Sequence, residues 1–142
     1  MSTRVAAMRR SLLILAAAAA TLAASNASAE PRGLAAAFGN TVKALYPDGR
    51  YQWLWIRADG DWEAVGRRGL WSSGHWSSKD DNKVCLRQSK PFPVPFFKYC
   101  TKFPKDGGIG VVWSSHDMNG EPIRVTVVPG IQRPPAGQVA AR

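Results

Sequence analysis

The chain has 142 residues, 45% of them hydrophobic and 20% charged, and its formal net charge is +9. This length suits one globular domain and leaves no room for a second hydrophobic core, which excludes a multidomain enzyme. Two cysteines and two histidines, without the short paired spacing of zinc ligands, do not indicate a metal site.

The amino-terminal segment has the three-part layout of a secretory signal peptide. Residues 1–29 contain arginines near the start, an apolar run from Leu12 to Ala24 and the small-residue end Ala27-Ser28-Ala29. The apolar run is shorter than the roughly 20 residues that a membrane-spanning helix needs. We therefore predict cleavage after Ala29, a mature chain without a transmembrane segment, and a periplasmic or secreted location. The segment removes three basic residues and no acid, so the mature chain remains basic.

Beyond this segment, short strand-like runs alternate with turn residues such as Asp-Gly pairs. Eight strands are predicted: Phe38–Tyr46, Tyr51–Arg57, Trp62–Arg67, Leu70–Ser78, Lys83–Gln88, Phe96–Phe103, Gly110–Ser115 and Pro122–Val128. Because no stretch has sustained helical periodicity, we predict an all-β domain over residues 38–129. It is an antiparallel meander closed as a small lipocalin-like barrel, with a sandwich as the alternative. Residues 30–37 are predicted to form an arm or a short helix, and residues 130–142 a disordered tail.

Alternation along the strands predicts which side chains face the interior. Ile123, Val125 and Val127 share one face of the last strand, and the odd-numbered residues of Phe96–Phe103 take the inward parity. The run Tyr51–Arg57 is apolar on both faces, so we expect its outer face to be covered by residues 34–38. The many aromatic residues predict a filled interior, to which Trp53, Trp55 or Trp62 contributes, without a large apolar cavity.

Cys85 and Cys100 are the only cysteines, and an even number in an exported chain predicts a disulfide. We expect the bond to join neighbouring antiparallel strands connected through the Pro91–Pro95 arch, with Cα atoms about 4.4–6.8 Å apart. Such a register places Lys83 opposite Lys102 and Arg87 opposite Lys98, all on the outer face.

These four side chains, Lys83, Arg87, Lys98 and Lys102, form what we call the basic strip. Like charges directly opposite each other cost up to about 1 kcal/mol per pair, so we hypothesise that the strip meets an anionic partner, either an envelope component or an acidic protein. The alternative is four solvated side chains that discourage edge aggregation. An exported protein is not expected to meet nucleic acid.

Trp71 is a further candidate for partner binding. Trp71 and Trp76 are five residues apart and would face opposite sides of a regular strand, unless Gly74 marks a bulge. One of the two rings is then expected to be exposed, where it can stack on a sugar or anchor a partner.

No run of residues carries a catalytic signature. The nearest candidates are Ser114-Ser115-His116-Asp117 and Ser73-Gly74-His75. Adjacent residues on a strand point to opposite faces, so Ser115 and His116 are poorly placed to act on each other, and no Gly-x-Ser-x-Gly elbow is present. We predict a non-enzymatic protein without a cofactor or metal.

Three stretches, Asp59-Gly60-Asp61-Trp62, Gly74-His75-Trp76 and Asn82-Lys83-Val84-Cys85-Leu86, resemble a recurrent pattern of small exported bacterial β-proteins, a family that implies no particular activity. The size and single disulfide are similar to the architecture of lipocalin-like periplasmic inhibitors of secreted metalloproteases. The first expectation is a non-catalytic envelope protein that binds an anionic or macromolecular partner. An inhibitor of a secreted hydrolase is the alternative, and a carrier of a small apolar ligand is a further one.

Overall fold

The computed structural model describes residues 29–80 and 82–139. The predicted signal peptide, apart from Ala29, lies outside the described residues. Within them, no helix is both long and apolar enough to cross a bilayer.

Eight antiparallel strands form one sheet in the described part of the chain. They are β1 Thr41–Leu45, β2 Tyr51–Ile56, β3 Asp61–Val65, β4 Trp71–Asp80, β5 Lys83–Lys90, β6 Tyr99–Lys102, β7 Val112–His116 and β8 Pro122–Val128. Strands β1 to β6 each pair with the next strand along the chain. Strand β8 pairs with the free side of β1, and β7 pairs with the other side of β8, so the order is β6-β5-β4-β3-β2-β1-β8-β7. The predicted eight-stranded antiparallel meander is confirmed. Two 3₁₀ helices, Gly33–Ala37 and Ala136–Gln138, flank it.

The two edge strands meet through their side chains. The hydroxyl groups of Thr101 and Ser115 lie 3.1 Å apart, and Tyr99 donates a hydrogen bond of 2.5 Å to the backbone carbonyl of His116. The sheet therefore curls into a nearly closed barrel, in which side chains of β6 and β7 bridge the seam.

One close approach in the barrel wall requires glycine. At Gly74 of β4, a Cβ atom would collide with the carbonyl oxygen of Arg87 on β5. The indole nitrogen of Trp62, on β3, donates to that oxygen at 3.3 Å and to the carbonyl of His75 at 3.1 Å. The pairing of β4 with β5 shifts register between Ser73 and Gly74, as a bulge would require. A side chain at residue 74 would therefore separate β4 from β5 and displace the Trp62 ring.

Inward-facing side chains form the main core. They include Val42, Ile56, Trp62, Ala64, Val84, Leu86, Phe103, Ile123, Val125 and Val127. The inward parity predicted for β8 and for Tyr99 and Phe103 of the β6 region is confirmed. Strand β2 turns its even-numbered residues inward, so Trp53 and Trp55 belong to a second buried cluster on the outer face with Val65.

The cover over this second cluster comes from the carboxyl-terminal segment, and the prediction of a cover by residues 34–38 is wrong. The Arg133 guanidinium lies 4.5 Å from the centre of the Trp55 ring, and Val139 packs against the same cluster. The backbone N–H of Gln132 donates to the Thr41 hydroxyl at 2.8 Å. Residues 130–139, in which the sequence predicts disorder, thus lie along β1 and β2, because outward tryptophans and a buried hydroxyl give them apolar and polar contacts.

Candidate ligand cavity and its mouth

The meander places successive turns at opposite ends of the barrel. The turns after β1, β3 and β7 lie at one end, together with residues 91–98, which we call the arch. The turns after β2 and β4 and residues 103–111 lie at the other end. We call the first the open end and the second the closed end.

The 3₁₀ helix Gly33–Ala37 plugs the closed end. The side chains of Leu34, Ala36 and Ala37 are buried in the main core. The Gly33 N–H donates to the carbonyl of Gly107 at 2.6 Å, and the Leu34 N–H donates to the side-chain oxygen of Asn82 at 3.3 Å. The arm expected from residues 30–37 therefore enters the barrel.

A cavity of about 830 Å³ occupies the half of the barrel nearer the open end. Its wall includes the apolar side chains of Leu54, Trp62, Ala64, Leu86 and Ile123. The prediction that no large apolar cavity exists is wrong. Trp62 contributes to the interior as predicted, whereas Trp53 and Trp55 are buried on the outer face.

Two features of the strands explain this space. Trp53 and Trp55 fill the outer cluster under the carboxyl-terminal segment and occupy no interior volume. On the inner wall, small side chains at Ala64 and Ser72 face each other across β3 and β4. The sequence signal that could have revealed the cavity was this pair of small residues at inward parity.

A few polar groups interrupt the apolar wall. Tyr46 donates a hydrogen bond of 3.1 Å to the side-chain oxygen of Gln52. Burial raises the pKa of Tyr46 to about 12, with Asp117 adding to the increase and Arg67 opposing it. Gln88 donates to the carbonyl of Phe92 at 3.0 Å and so ties the arch to β5.

Two adjacent arginines at the mouth differ in their environment. Arg67 forms ion pairs with Glu121 at 2.5 Å and Asp48 at 3.3 Å, and its guanidinium lies 4.2 Å from the centre of the Tyr46 ring. Arg68 is exposed and has no hydrogen bond or ion pair within the described residues. Arg68 is therefore a free cation beside the cavity.

The disulfide and its register agree closely with the sequence prediction. Cys85 and Cys100 are bonded and face each other across β5 and β6, with Cα atoms 4.0 Å apart, slightly closer than expected. Lys83 lies opposite Lys102, as predicted. The ladder ends at Leu86 and Tyr99, so Lys98 lies before β6 and its predicted pairing with Arg87 is absent from the ladder.

A carboxylate of the chain itself partly neutralises the basic strip. Asp80 accepts backbone N–H groups of Asn82 and Lys83 at 3.1 and 2.8 Å. These hydrogen bonds, and the charges of Lys102 and Lys83, lower the pKa of Asp80 below its ordinary value. The repulsion between Lys83 and Lys102 is therefore reduced without an external anion.

The structure does not bring Trp71 to the basic strip. Its ring stacks on Trp55 with centroids 5.7 Å apart, and the Arg133 guanidinium lies 5.7 Å from the Trp71 ring. Trp71 begins β4 near the open end, whereas Lys83 begins β5 at the closed end. Trp71 and Trp76 face opposite sides of β4, and Trp76 packs against the main core.

The candidate catalytic runs do not assemble into a site. Ser115 bridges the seam through Thr101, while His116 is exposed at the next position. His75 hydrogen-bonds through Nδ1 to Asp61 at 2.7 Å on the outer surface. Among the described residues, no group of three His, Cys, Asp or Glu side chains is placed to hold a metal ion.

Comparison with family models, with curated proteins and with solved structures found no match to this chain. Its class is defined by the fold and the cavity: an eight-stranded antiparallel barrel that is plugged at one end and opens into an apolar cavity at the other.

Proposed function

We propose that this protein binds a small amphipathic ligand, with its apolar chain in the cavity and an anionic head group beside Arg68. The observation that carries the proposal is the apolar cavity of about 830 Å³, whose lining includes Leu70, Phe92 and Met118 of the open end. This volume falls within the range of about 300–1,000 Å³ that is typical of small-molecule sites. A few polar groups on an otherwise apolar wall are also typical of such sites.

Burial of an alkyl chain supplies the affinity. Each buried methylene contributes about 0.8 kcal/mol, so ten would contribute roughly 8 kcal/mol before the cost of association. The apolar side chains of Leu54, Trp62 and Leu86 line the cavity and would contact the alkyl chain of the ligand. The cavity thus favours the carrier, a further alternative at the sequence level, over a filled barrel that binds only through its surface.

The charges at the mouth favour an anionic head group. Arg67 is already paired with Glu121 and Asp48, whereas Arg68 beside it has no protein partner among the described residues. A carboxylate or phosphate at the mouth would give Arg68 a charge-assisted hydrogen bond. The Cys85–Cys100 disulfide supports an oxidising compartment, in keeping with the proposed periplasmic or secreted location.

Binding of an alkyl chain in the cavity is tested by titrating the tryptophan fluorescence of the protein with a long-chain fatty acid. We expect saturable quenching at one site per molecule, because Trp62 lines the cavity. Ser72→Phe places a ring inside the cavity and should weaken binding at least about tenfold, as lost burial of a few methylenes implies. Ser73→Phe, at the next position on the outer face of β4, is the matched control and should bind like the parent. Equal affinity of the two variants, or no saturable quenching of the parent, would refute the proposal.

The test of head-group recognition compares a fatty acid with an alkyltrimethylammonium of the same chain length. Arg68→Gln should weaken fatty-acid binding severalfold and leave the cationic amphiphile unaffected or bound more tightly. Arg124→Gln is the control, because Arg124 is also exposed but lies on β8 outside the cavity. If both arginine variants change affinity equally, the mouth does not recognise the head group.

A second candidate keeps the basic strip as the binding surface. The confirmed pairing of Lys83 with Lys102 on the outer face favours it, because two ammonium groups side by side attract a polyanion. Binding of an anionic polysaccharide should then weaken with salt and in Lys83→Glu/Lys102→Glu. The proximity of Asp80 to these lysines makes this candidate the weaker one.

A further inference from the structure

We propose that the open end docks onto an anionic lipid bilayer, with the arch inserted at the boundary between head groups and acyl chains. Delivery of a ligand from that bilayer rests on the proposed function, whereas docking does not require an occupied cavity. The argument starts from the apolar side chains that the open end exposes.

Exposed apolar residues are concentrated at the open end. Of the large hydrophobic side chains that are exposed in the described residues, five lie there: Leu70, Phe92, Phe96, Phe97 and Met118. They come from the β3–β4 turn, the arch and the β7–β8 turn. The other three, Val111, Val112 and Ile131, are aliphatic and lie outside these turns. Four of the five, Leu70, Phe92, Phe97 and Met118, line the same cavity, and a cluster of exposed apolar side chains of this kind marks an interaction surface.

Phe96, in the arch, carries two energetic costs. Its side chain is fully exposed, and its backbone has a φ of 64°, a region that bulky residues rarely adopt. Local strain of this kind collects at functional sites. Transfer of the ring into a bilayer removes the first of these costs.

The cations around the patch complement an anionic surface. Lys90 and Lys98 flank the sequence Pro91–Phe97, and both are exposed without an ion pair in the described chain. Arg68, in the β3–β4 turn, also borders the cavity and is exposed without an ion pair in the described chain. Lysines that flank an apolar segment place their ammonium groups at the head-group level while the apolar residues enter the bilayer.

The acids at this end are already engaged by the chain. Asp48 pairs with Arg50 and Arg67, and Glu121 pairs with Arg67. Asp117 accepts the N–H groups of Asn119 and Glu121 at 2.8 and 2.9 Å. Asp117 keeps its negative charge, but Arg68, Lys90 and Lys98 outnumber it, so the open end is positive on balance and favours an anionic bilayer over a zwitterionic one.

The apolar patch also surrounds the cavity mouth. Phe92, Phe97 and Met118 are exposed and line the cavity at the same time. A bilayer that covers these side chains would bring the mouth into contact with acyl chains. An amphipathic ligand could then enter with its chain shielded from water throughout. This continuity favours a bilayer over a protein partner as the occupant.

The test is flotation with phosphatidylcholine vesicles, with and without phosphatidylglycerol, using parent and variants that share the same amino terminus. We expect binding only to the anionic vesicles and release by salt. Phe92→Ser/Phe96→Ser should lower partitioning at least about tenfold, because two aromatic side chains lose their burial. Val111→Ser/Val112→Ser changes two exposed apolar residues away from the open end and should partition like the parent.

The electrostatic contribution is tested by comparing two pairs of lysine substitutions. Lys90→Gln/Lys98→Gln removes the charges that flank the arch and should lower binding about fivefold per lysine. Lys83→Gln/Lys102→Gln removes the same number of charges from the two members of the basic strip that lie at the closed end, whereas Lys98, its third lysine, lies at the arch. This second pair should have little effect. If the strip pair lowers binding as much as the arch pair, the bilayer meets general surface charge or the strip, and the proposal is overturned.

Other outcomes also decide the question. Parent protein that does not float with anionic vesicles overturns the proposal. Concentration-dependent dimerisation that Phe96→Ser abolishes, without vesicle binding, would assign the patch to a contact between copies or to a protein partner. If Ser72→Phe and the parent fail to bind fatty acid while the parent still floats, the ligand proposal fails and the docking proposal stands.

Discussion

The two ends of the barrel are built from similar hairpins but differ in what enters between the strands. At the closed end, Leu34 and Ala37 of the 3₁₀ helix fill the interior. Backbone N–H groups of the helix donate to the carbonyl of Gly107 and to the side-chain oxygen of Asn82, and these bonds hold the helix in place. At the open end, the arch passes across the mouth and leaves the cavity beneath it. Closure of the barrel is therefore supplied by a segment outside the meander, and the meander alone leaves space for a ligand.

Both ends combine paired and unpaired charges, and at the closed end Lys83 and Lys102 also form no ion pair in the described chain. At the closed end, Arg57 forms ion pairs with Asp61 at 3.2 Å and Glu63 at 3.1 Å, and its hydrogen bond, with that of His75, lowers the pKa of Asp61 below its ordinary value. At the open end, Lys90 and Lys98 have no such partner in the described chain. Charged side chains that form ion pairs within the protein contribute to its structure. Charged side chains without an ion pair are available to bind a ligand or a membrane surface.

The largest expected difference between the ends is in packing. Leu34→Ala should lower the free energy of unfolding by about 2–5 kcal/mol, because it removes a buried side chain from the plug. Leu70→Ala makes the same chemical change at an exposed position of the open end, and its effect should stay within about 0.5 kcal/mol. Urea unfolding of both variants measures the contrast. Equal destabilisation would mean that the open end is also packed in solution.

The disulfide should have the next largest effect, because it joins the strands at the base of the arch. Cys85→Ser/Cys100→Ser should lower the free energy of unfolding by about 3 kcal/mol in the chain-entropy view of a loop of 15 residues. Cleavage within residues 91–98 by a protease should become faster, while the plug at the closed end stays protected. The oxidised parent, the reduced parent and the variant are compared in urea. A variant as stable as the oxidised parent would show that the β5–β6 ladder alone holds the arch.

The strands and the disulfide register could be predicted because local signals determine them. Asp-Gly turns bound the hairpins, and one covalent link between Cys85 and Cys100 fixes the pairing of β5 with β6. The inward face of β2 could not be predicted, since Trp53 and Leu54 are both apolar and only the packing of the whole barrel selects between them. The cavity depends on that choice, because two tryptophans on the outer face leave the interior unfilled.

The carboxyl-terminal segment escaped prediction for a related reason. Its proline-rich composition is typical of disorder, and the contacts that order it come from distant residues. Asn40 accepts the N–H of Gly130 at 2.8 Å, and the Thr41 hydroxyl donates to the Gly130 carbonyl at 2.8 Å. The Arg133 guanidinium then lies over Trp55. Single-sequence patterns do not encode such pairings between positions about 90 residues apart.

The smallest effect we predict is a titration that distinguishes the cavity from the outer wall. Burial beside the cavity raises the pKa of Tyr46 to about 12, from an ordinary value near 10. The folded state therefore favours the protonated phenol, and its contribution to stability is complete below pH 10 and is lost as the pH rises toward 12. Absorbance titration of the parent should show a late-ionising tyrosine that is missing from Tyr46→Phe. Tyr51→Phe, on the outer face of β2, is the control and should retain the late step.

An anionic ligand in the mouth should shift the ionisation of Tyr46 to still higher pH, because the negative charge of the ligand disfavours the phenolate. If a saturating fatty acid leaves the Tyr46 step unchanged, its head group does not lie beside Arg67 and Arg68.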